Sequence, residues 1–147
     1  MRKIINRKAK FKYNLLDRLE VGIVLTGQEV KSIKSGRMSL GEAFVRFQNN
    51  ELFMVNAQVA PYPAARVENY DPGRSRKLLA QKHEILHWQK KVEAKNLSMV
   101  PTAAYTKKGR IKIEIALAKG KRKYEKRETI KRRDQEREVE RVLKKYI

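Results

Sequence analysis

The chain has 147 residues, with 36 Lys/Arg against 16 Asp/Glu, a formal net charge of +20 and a hydrophobic content of 41%. That length and apolar content support one domain with a single core, and charged residues, at 35%, exceed the usual share of about a quarter. The absence of cysteine excludes disulfides and thiolate metal sites, no apolar run approaches the ~20 residues that span a bilayer, and MRKIINRKAKFKY has no signal-peptide h-region.

Such a positive surplus repels itself unless it is spread out or meets a polyanion. Nucleic acid is the leading expected partner and an anionic membrane surface the second. A reducing, cytoplasmic setting is the expected one.

In chain order, residues 6–25 mix β-branched, aromatic and charged side chains and predict extended structure with a turn near Asp17. Thr26 and Glu29 have capping-box spacing, and Gly36 suits the left-handed residue that closes a helix, so a two-turn helix is expected between them. EAFVRFQ (42–48) and ELFMVNAQV (51–59) flank Asn49-Asn50 and predict a hairpin. Pro61, Pro63, Pro72 and Gly73 mark a loop. Ser75 then reads as the N-cap of the longest core helix, with Leu78/Leu79, Ile85/Leu86 and Val92 on its apolar face. After a Lys107-Lys108-Gly109 turn, Ile111, Ile113, Ile115 and Leu117 alternate with Lys112, Glu114 and Ala116, as a strand with one buried face requires. The pattern is mainly β with α. It suggests a small antiparallel barrel, of which the oligonucleotide-binding type is one candidate, with flanking helices.

Composition shifts at Lys119, from which the chain carries 13 Lys/Arg and 6 Asp/Glu. The first half of this tail has too little apolar surface to offset ordering entropy, so disorder in isolation is expected. Glu128 with Arg132 and Glu140 with Lys144 nevertheless stand at helix-favouring i,i+4 spacing. As a helix the tail would align Arg133, Arg137, Arg141 and Lys145 in one stripe and Val139, Val142, Leu143 and Tyr146 in another. Among Lys119, Lys121, Arg122, Lys123, Lys126 and Arg127, the Tyr124 ring could stack on an unpaired base while the cations take phosphates; packing against the body of the protein is the alternative.

HEILH (83–87) matches H-E-x-x-H, in which two helical histidines hold zinc and the glutamate is a general base. We do not adopt it. The chain has two histidines, and helical geometry turns His83 and His87 away from the apolar stripe, toward solvent. No P-loop or nucleophile elbow is present either, and neither enzyme, metal nor cofactor is expected.

NRKA (6–9), VGIVLTGQEVKSIKSG (21–36), ELFMVNAQVAPY (51–62), DPGRSRKLLAQKHEI (71–85) and LAKGKRKYEKR (117–127) stand in one collinear order. In them the chain resembles the SsrA-binding protein family, also called small protein B. It departs from the family pattern where Glu125-Lys126-Arg127 replaces Asp-Lys-Arg. The resemblance implies a non-enzymatic adaptor, monomeric when free, that binds transfer-messenger RNA and delivers it to stalled ribosomes for trans-translation. It implies an oligonucleotide-binding-type barrel over 1–120 that grips the tRNA-like domain. It also implies a tail over 121–147, disordered alone, that becomes helical in the vacant decoding site and mRNA channel. Its RNA-contacting positions fall on Asn6, Glu20 and Leu79, with basic support from Arg7, Lys8, Lys31, Arg76 and Lys77. The implied ribosome contacts run from Lys119 through Arg127, with Glu125 among them, and along the arginine stripe to Lys145. From the residues alone, Asn6 reads as a turn residue and Leu79 as core, while Glu20 reads equally as a strand-surface acid paired with Lys or Arg and as an acceptor for base or 2′-hydroxyl donors of single-stranded RNA. A basic protein that coats ribosomal RNA is the rival reading.

Overall fold

The computed structural model describes residues 1–64, 69–121 and 123–145; within the last segment the side chains of 123–126, 128–129, 140 and 142–145 lie outside the described set. A short strand β1 (Ile4–Ile5) leads into helix α1 (Arg7–Lys12) and the long strand β2 (Tyr13–Ile23). Helix α2 (Gly27–Lys34), strand β3 (Met38–Ser39) and the hairpin β4 (Phe44–Gln48) and β5 (Glu51–Val55) follow. Then come β6 (Gln58–Val59), β7 (Arg76–Leu79), helix α3 (Lys82–Lys95), β8 (Ser98–Lys107), β9 (Arg110–Gly120) and helix α4 (Lys123–Lys145).

The fold is mixed α/β. Seven strands form one antiparallel sheet in the order β1-β8-β4-β5-β7-β2-β9, and β8 also pairs with β9; β3 and β6 form a separate ribbon. The sheet almost closes into a ring. The β8–β9 ladder is long, whereas β4 meets β8 at the single pair Val45 and Met99. Val21, Leu52, Met54, Leu78, Ile113, Ile115 and Leu117 fill the interior, capped by Ile33 of α2 and by Ile85 and Trp88 of α3. Helix α1 closes a second cluster, where Ala9 meets Val100 and Ala118.

Several expected elements stand where the residues placed them. Thr26 and Glu29 make the reciprocal capping box, and Gly36 takes φ +84° just past α2. Asn49 and Asn50, at φ 51° and 61°, turn the β4–β5 hairpin, and Lys108-Gly109 turns β8 into β9. Ile111, Ile113, Ile115 and Leu117 are all buried.

Others differ. There is no turn at Asp17: β2 runs through it with a bulge between Leu15 and Arg18, and the Asp17 carboxylate meets Lys91 of α3. The helix expected from Ser75 starts instead after Gln81, because Arg76–Leu79 is a strand laid between β5 and β2. Adjacent Leu78 and Leu79, expected on one helical face, point to opposite faces of the sheet, at 2% and 51% exposure, and Leu86 is also exposed. The stretch expected as one strand to Val59 breaks at Asn56, whose φ is 62°. Neither α1 nor β8 was foreseen.

What makes 76–79 a strand is the charge at its start. Arg76 has 0% side-chain exposure, and its Nε donates to Glu29 Oε2 at 2.5 Å. Its remaining donors go to the carbonyls of Ala57 (2.9 Å), Arg74 (3.0 Å) and Pro72 (3.0 Å). Arg74 meets the other Glu29 oxygen at 2.5 Å. Burial pushes the Glu29 carboxyl up, but Arg74, the Thr26 N–H and Arg76 outweigh it and hold the group below the usual carboxylate range.

Removing one partner of such a pair strands a buried charge, so Glu29→Ala should lower the unfolding free energy by about 3–5 kcal/mol. Because the folded pKa lies below the unfolded value of about 4.3, the Glu29 contribution is present above that pH and is lost as pH falls through the folded pKa. Urea melts of wild type and variant from pH 7 to pH 3 check this. The gap should be full at neutral pH and narrow below about pH 4.

Candidate nucleic-acid interface

The outer face of the sheet collects the polar and basic side chains that alternate with the core. Register puts Leu79 of β7 opposite Gly22 of β2, Gly22 opposite Lys112 of β9, and Lys112 opposite Tyr105 of β8. These four residues form one row across four strands. Leu79 lies directly over Gly22, where an added Cβ would come within 3.3 Å of the Leu79 Cβ. A groove of about 260 Å³ opens beside it, lined by Leu79, Gly22, Val30, Ile111, Arg110 and Lys112 among others. An apolar floor with cationic edges suits a stacked or splayed nucleotide.

Glu20 stands one row along β2, directly opposite Glu114. It is a strand-surface acid with a cation beside it: Lys107 Nζ lies 3.3 Å from Oε1, and the Tyr105 hydroxyl donates to Oε2. The Tyr105 hydrogen bond, with Lys107, holds its carboxyl below the ordinary range. Lys77 shares this face, on β7, and pairs with Glu51 at 3.1 Å.

The other expected barrel positions separate from this face. Asn6 is 4% exposed and caps α1. Its Nδ2 donates to Leu40 O (3.0 Å) and Pro101 O (2.7 Å), and its Oδ1 accepts from Ala9 N. Arg76 is enclosed, so its expected role as surface basic support gives way to the internal ion pair. Arg7 and Lys8 are exposed on α1, with Lys8 paired to Glu42 at 2.8 Å. Lys31 is exposed on α2, its ammonium 5.6 Å from the Tyr62 ring centroid. The core reading of Leu79 is overturned by its 51% exposure.

In the tail, Arg127, Arg133, Arg137 and Arg141 are exposed along α4, and the Arg133 guanidinium sits 5.5 Å over the Phe11 ring of α1. Lys119 is exposed at the end of β9, and Lys121 Nζ donates to Lys10 O at 2.9 Å. Arg122 and Tyr146, and the side chains of Lys123, Tyr124, Glu125, Lys126 and Lys145, lie outside the described residues. His83 and His87 are exposed on α3, and among the described residues no three His, Cys, Asp or Glu side chains are grouped to hold a metal. Among them, too, no helix is long and apolar enough to cross a membrane.

Lys112 was legible as an outward residue of β9. Gly22 and Tyr105 were not, since a glycine's clearance and a partner two strands away appear only with the register.

The family model described as SmpB protein matches residues 3–145. The chain belongs to the SmpB family. It is 51% identical over 142 residues to the SsrA-binding protein of Persephonella marina, covering 97% of this chain and 93% of that protein. It is 45% identical over 141 residues to the SsrA-binding protein of Ligilactobacillus salivarius, covering 96% and 91%. A solved chain described under "tmRNA-SmpB: a journey to the center of the bacterial ribosome" is 39% identical, with a TM-score of 0.69 over 87% of this chain and 94% of that one.

The exposure of Leu79 separates its fold role from any binding role. Leu79→Ala should change unfolding free energy by less than about 1 kcal/mol, whereas Leu78→Ala should cost about 2–5 kcal/mol. Paired denaturant melts read the difference.

Proposed function

We propose that this chain binds transfer-messenger RNA and delivers it to stalled ribosomes for trans-translation. The observation that carries the proposal is the family match over residues 3–145, together with relatives called SsrA-binding proteins and a solved relative described with tmRNA and the bacterial ribosome. The sheet acts as a small oligonucleotide-binding-type barrel over residues 1–120, its ring bridged between β4 and β8 by the one pair Val45 and Met99. Its outer row of Leu79, Gly22 and Lys112, with Glu20 and Lys77 beside it, takes the tRNA-like domain. Arg7, Lys8 and Lys31 supply phosphate contacts around it. Asn6 and Arg76 serve the same surface from inside, by fixing α1 and β7.

Residues 121–147 form the ribosome-directed limb. Support comes from the exposure of Arg133, Arg137, Arg141, Ile130 and Val139 among the described residues of α4, which leaves these apolar side chains without cover. Such a helix is weakly populated in isolation and ordered by a polyanionic wall. Lys119 to Arg127, with Tyr124 at the centre, would meet decoding-centre nucleotides, and the arginine stripe to Lys145 would line the mRNA channel. The setting is cytoplasmic and the free protein monomeric.

Removing all residues after Lys119 should leave affinity for transfer-messenger RNA within about threefold and abolish tagging of stalled peptides in a reconstituted translation system. Loss of RNA binding with the tail would refute the division of labour. The +20 charge also suits a coat for ribosomal RNA. Equal affinity for unrelated duplex RNA at matched salt would favour that reading.

A further inference from the structure

We propose that Tyr105 is a positioning residue, whose hydroxyl holds the Glu20 carboxylate as a fixed acceptor for an amino or hydroxyl group of an unpaired nucleotide. The proposal rests on the reading of the sheet's outer face as the RNA-binding surface.

Strand order places β9 between β2 and β8, so the Tyr105 side chain crosses a whole strand to reach Glu20. Its backbone stands in the row of Lys112 and Gly22 while its hydroxyl reaches Glu20 in the neighbouring row, and the Lys3 ammonium lies 5.3 Å from its ring centroid. Glu20 Oε2 accepts the phenol proton and Oε1 takes Lys107. Both oxygens are thus oriented from the protein side, while the Glu20 side chain keeps 34% exposure. The remaining lone pairs can accept from a ligand without first ordering a long, mobile side chain.

The neighbouring acid has its own partners. Glu114 accepts from Thr102 Oγ1 and from Arg18, each at 2.8 Å. Tyr105 therefore serves Glu20 alone of the two facing carboxylates. Like charges directly opposite on adjacent strands destabilise a sheet. Here each acid is offset by its own hydroxyl and cation, Glu20 by Tyr105 and Lys107 and Glu114 by Thr102 and Arg18.

The chemistry of that ligand follows from the charge. An ionised carboxylate repels phosphate and accepts from base amino or imino groups or a ribose 2′-hydroxyl, the groups displayed by unpaired RNA. Burial and the Glu20 contact push the Tyr105 hydroxyl up, so it remains a donor.

A double-mutant cycle tests this with a transcript of the tRNA-like portion of transfer-messenger RNA. Tyr105→Phe keeps the ring beneath Lys3 and deletes one hydroxyl. Glu20→Gln should weaken binding roughly tenfold and Tyr105→Phe roughly three- to tenfold, and the double variant should bind no worse than Glu20→Gln. The Glu20 carboxyl carbon resonance should move in Tyr105→Phe with the fold intact by circular dichroism. Additive losses, or an unaffected Tyr105→Phe, would overturn the positioning role. Unchanged binding by Glu20→Gln would instead remove Glu20 from the RNA-reading face, and the proposal with it.

Discussion

Arg76 carries a full charge into a site with no solvent exposure, and the charge is tolerated because Glu29 meets it at 2.5 Å and backbone carbonyls take its other donors. Those partners lie on α2 and on the chain around 57 and 72–74, so one guanidinium ties three segments to the first residue of β7. Period-two alternation does the rest. With Arg76 inward, Leu78 is inward, and Lys77 and Leu79 face out. A slip of one residue would bury Lys77 and Leu79 and expose the charge that Glu29 needs, so the ion pair locks the register of the proposed RNA-binding row.

The same surplus of charge is handled differently in the two parts of the chain. On the sheet, cations are interleaved with acids, as in Lys77 with Glu51, Lys107 with Glu20 and Arg18 with Glu114. Lys112 and the apolar Leu79 supply the bare chemistry between them. Along α4, Arg127, Arg137 and Arg141 are presented outward on a single helix. A mixed surface suits recognition of one folded RNA shape, and an arginine stripe suits a polyanionic wall of any sequence.

Much of this was legible in the residues, and the exceptions have physical causes. Local signals read well: the Thr26–Glu29 box, the Asn49-Asn50 turn and the alternation through Ile111 to Leu117 involve neighbours in sequence. Long-range pairings did not. SRKLL resembles a helix start until the buried Glu29, 47 residues away, claims Arg76. Strand β8 was hidden by Pro101 and the small residues after it, tolerated here because the ladder shifts between Pro101 and Ala103. Asn6 looked like a turn residue, and only the folded chain brings the Leu40 and Pro101 carbonyls to its amide. Family resemblance named Glu20 and Leu79; the register explains why these two share a face.

The account's central claim is that RNA is read by the outer row of the sheet and not by the terminal helix. Amide hydrogen exchange on the full chain, with and without the tRNA-like portion of transfer-messenger RNA, tests it directly. Slower exchange should concentrate in 19–23, 77–79 and 110–112, with 123–145 exchanging as in the unbound protein. Protection confined to 123–145, with the sheet unchanged, would contradict it.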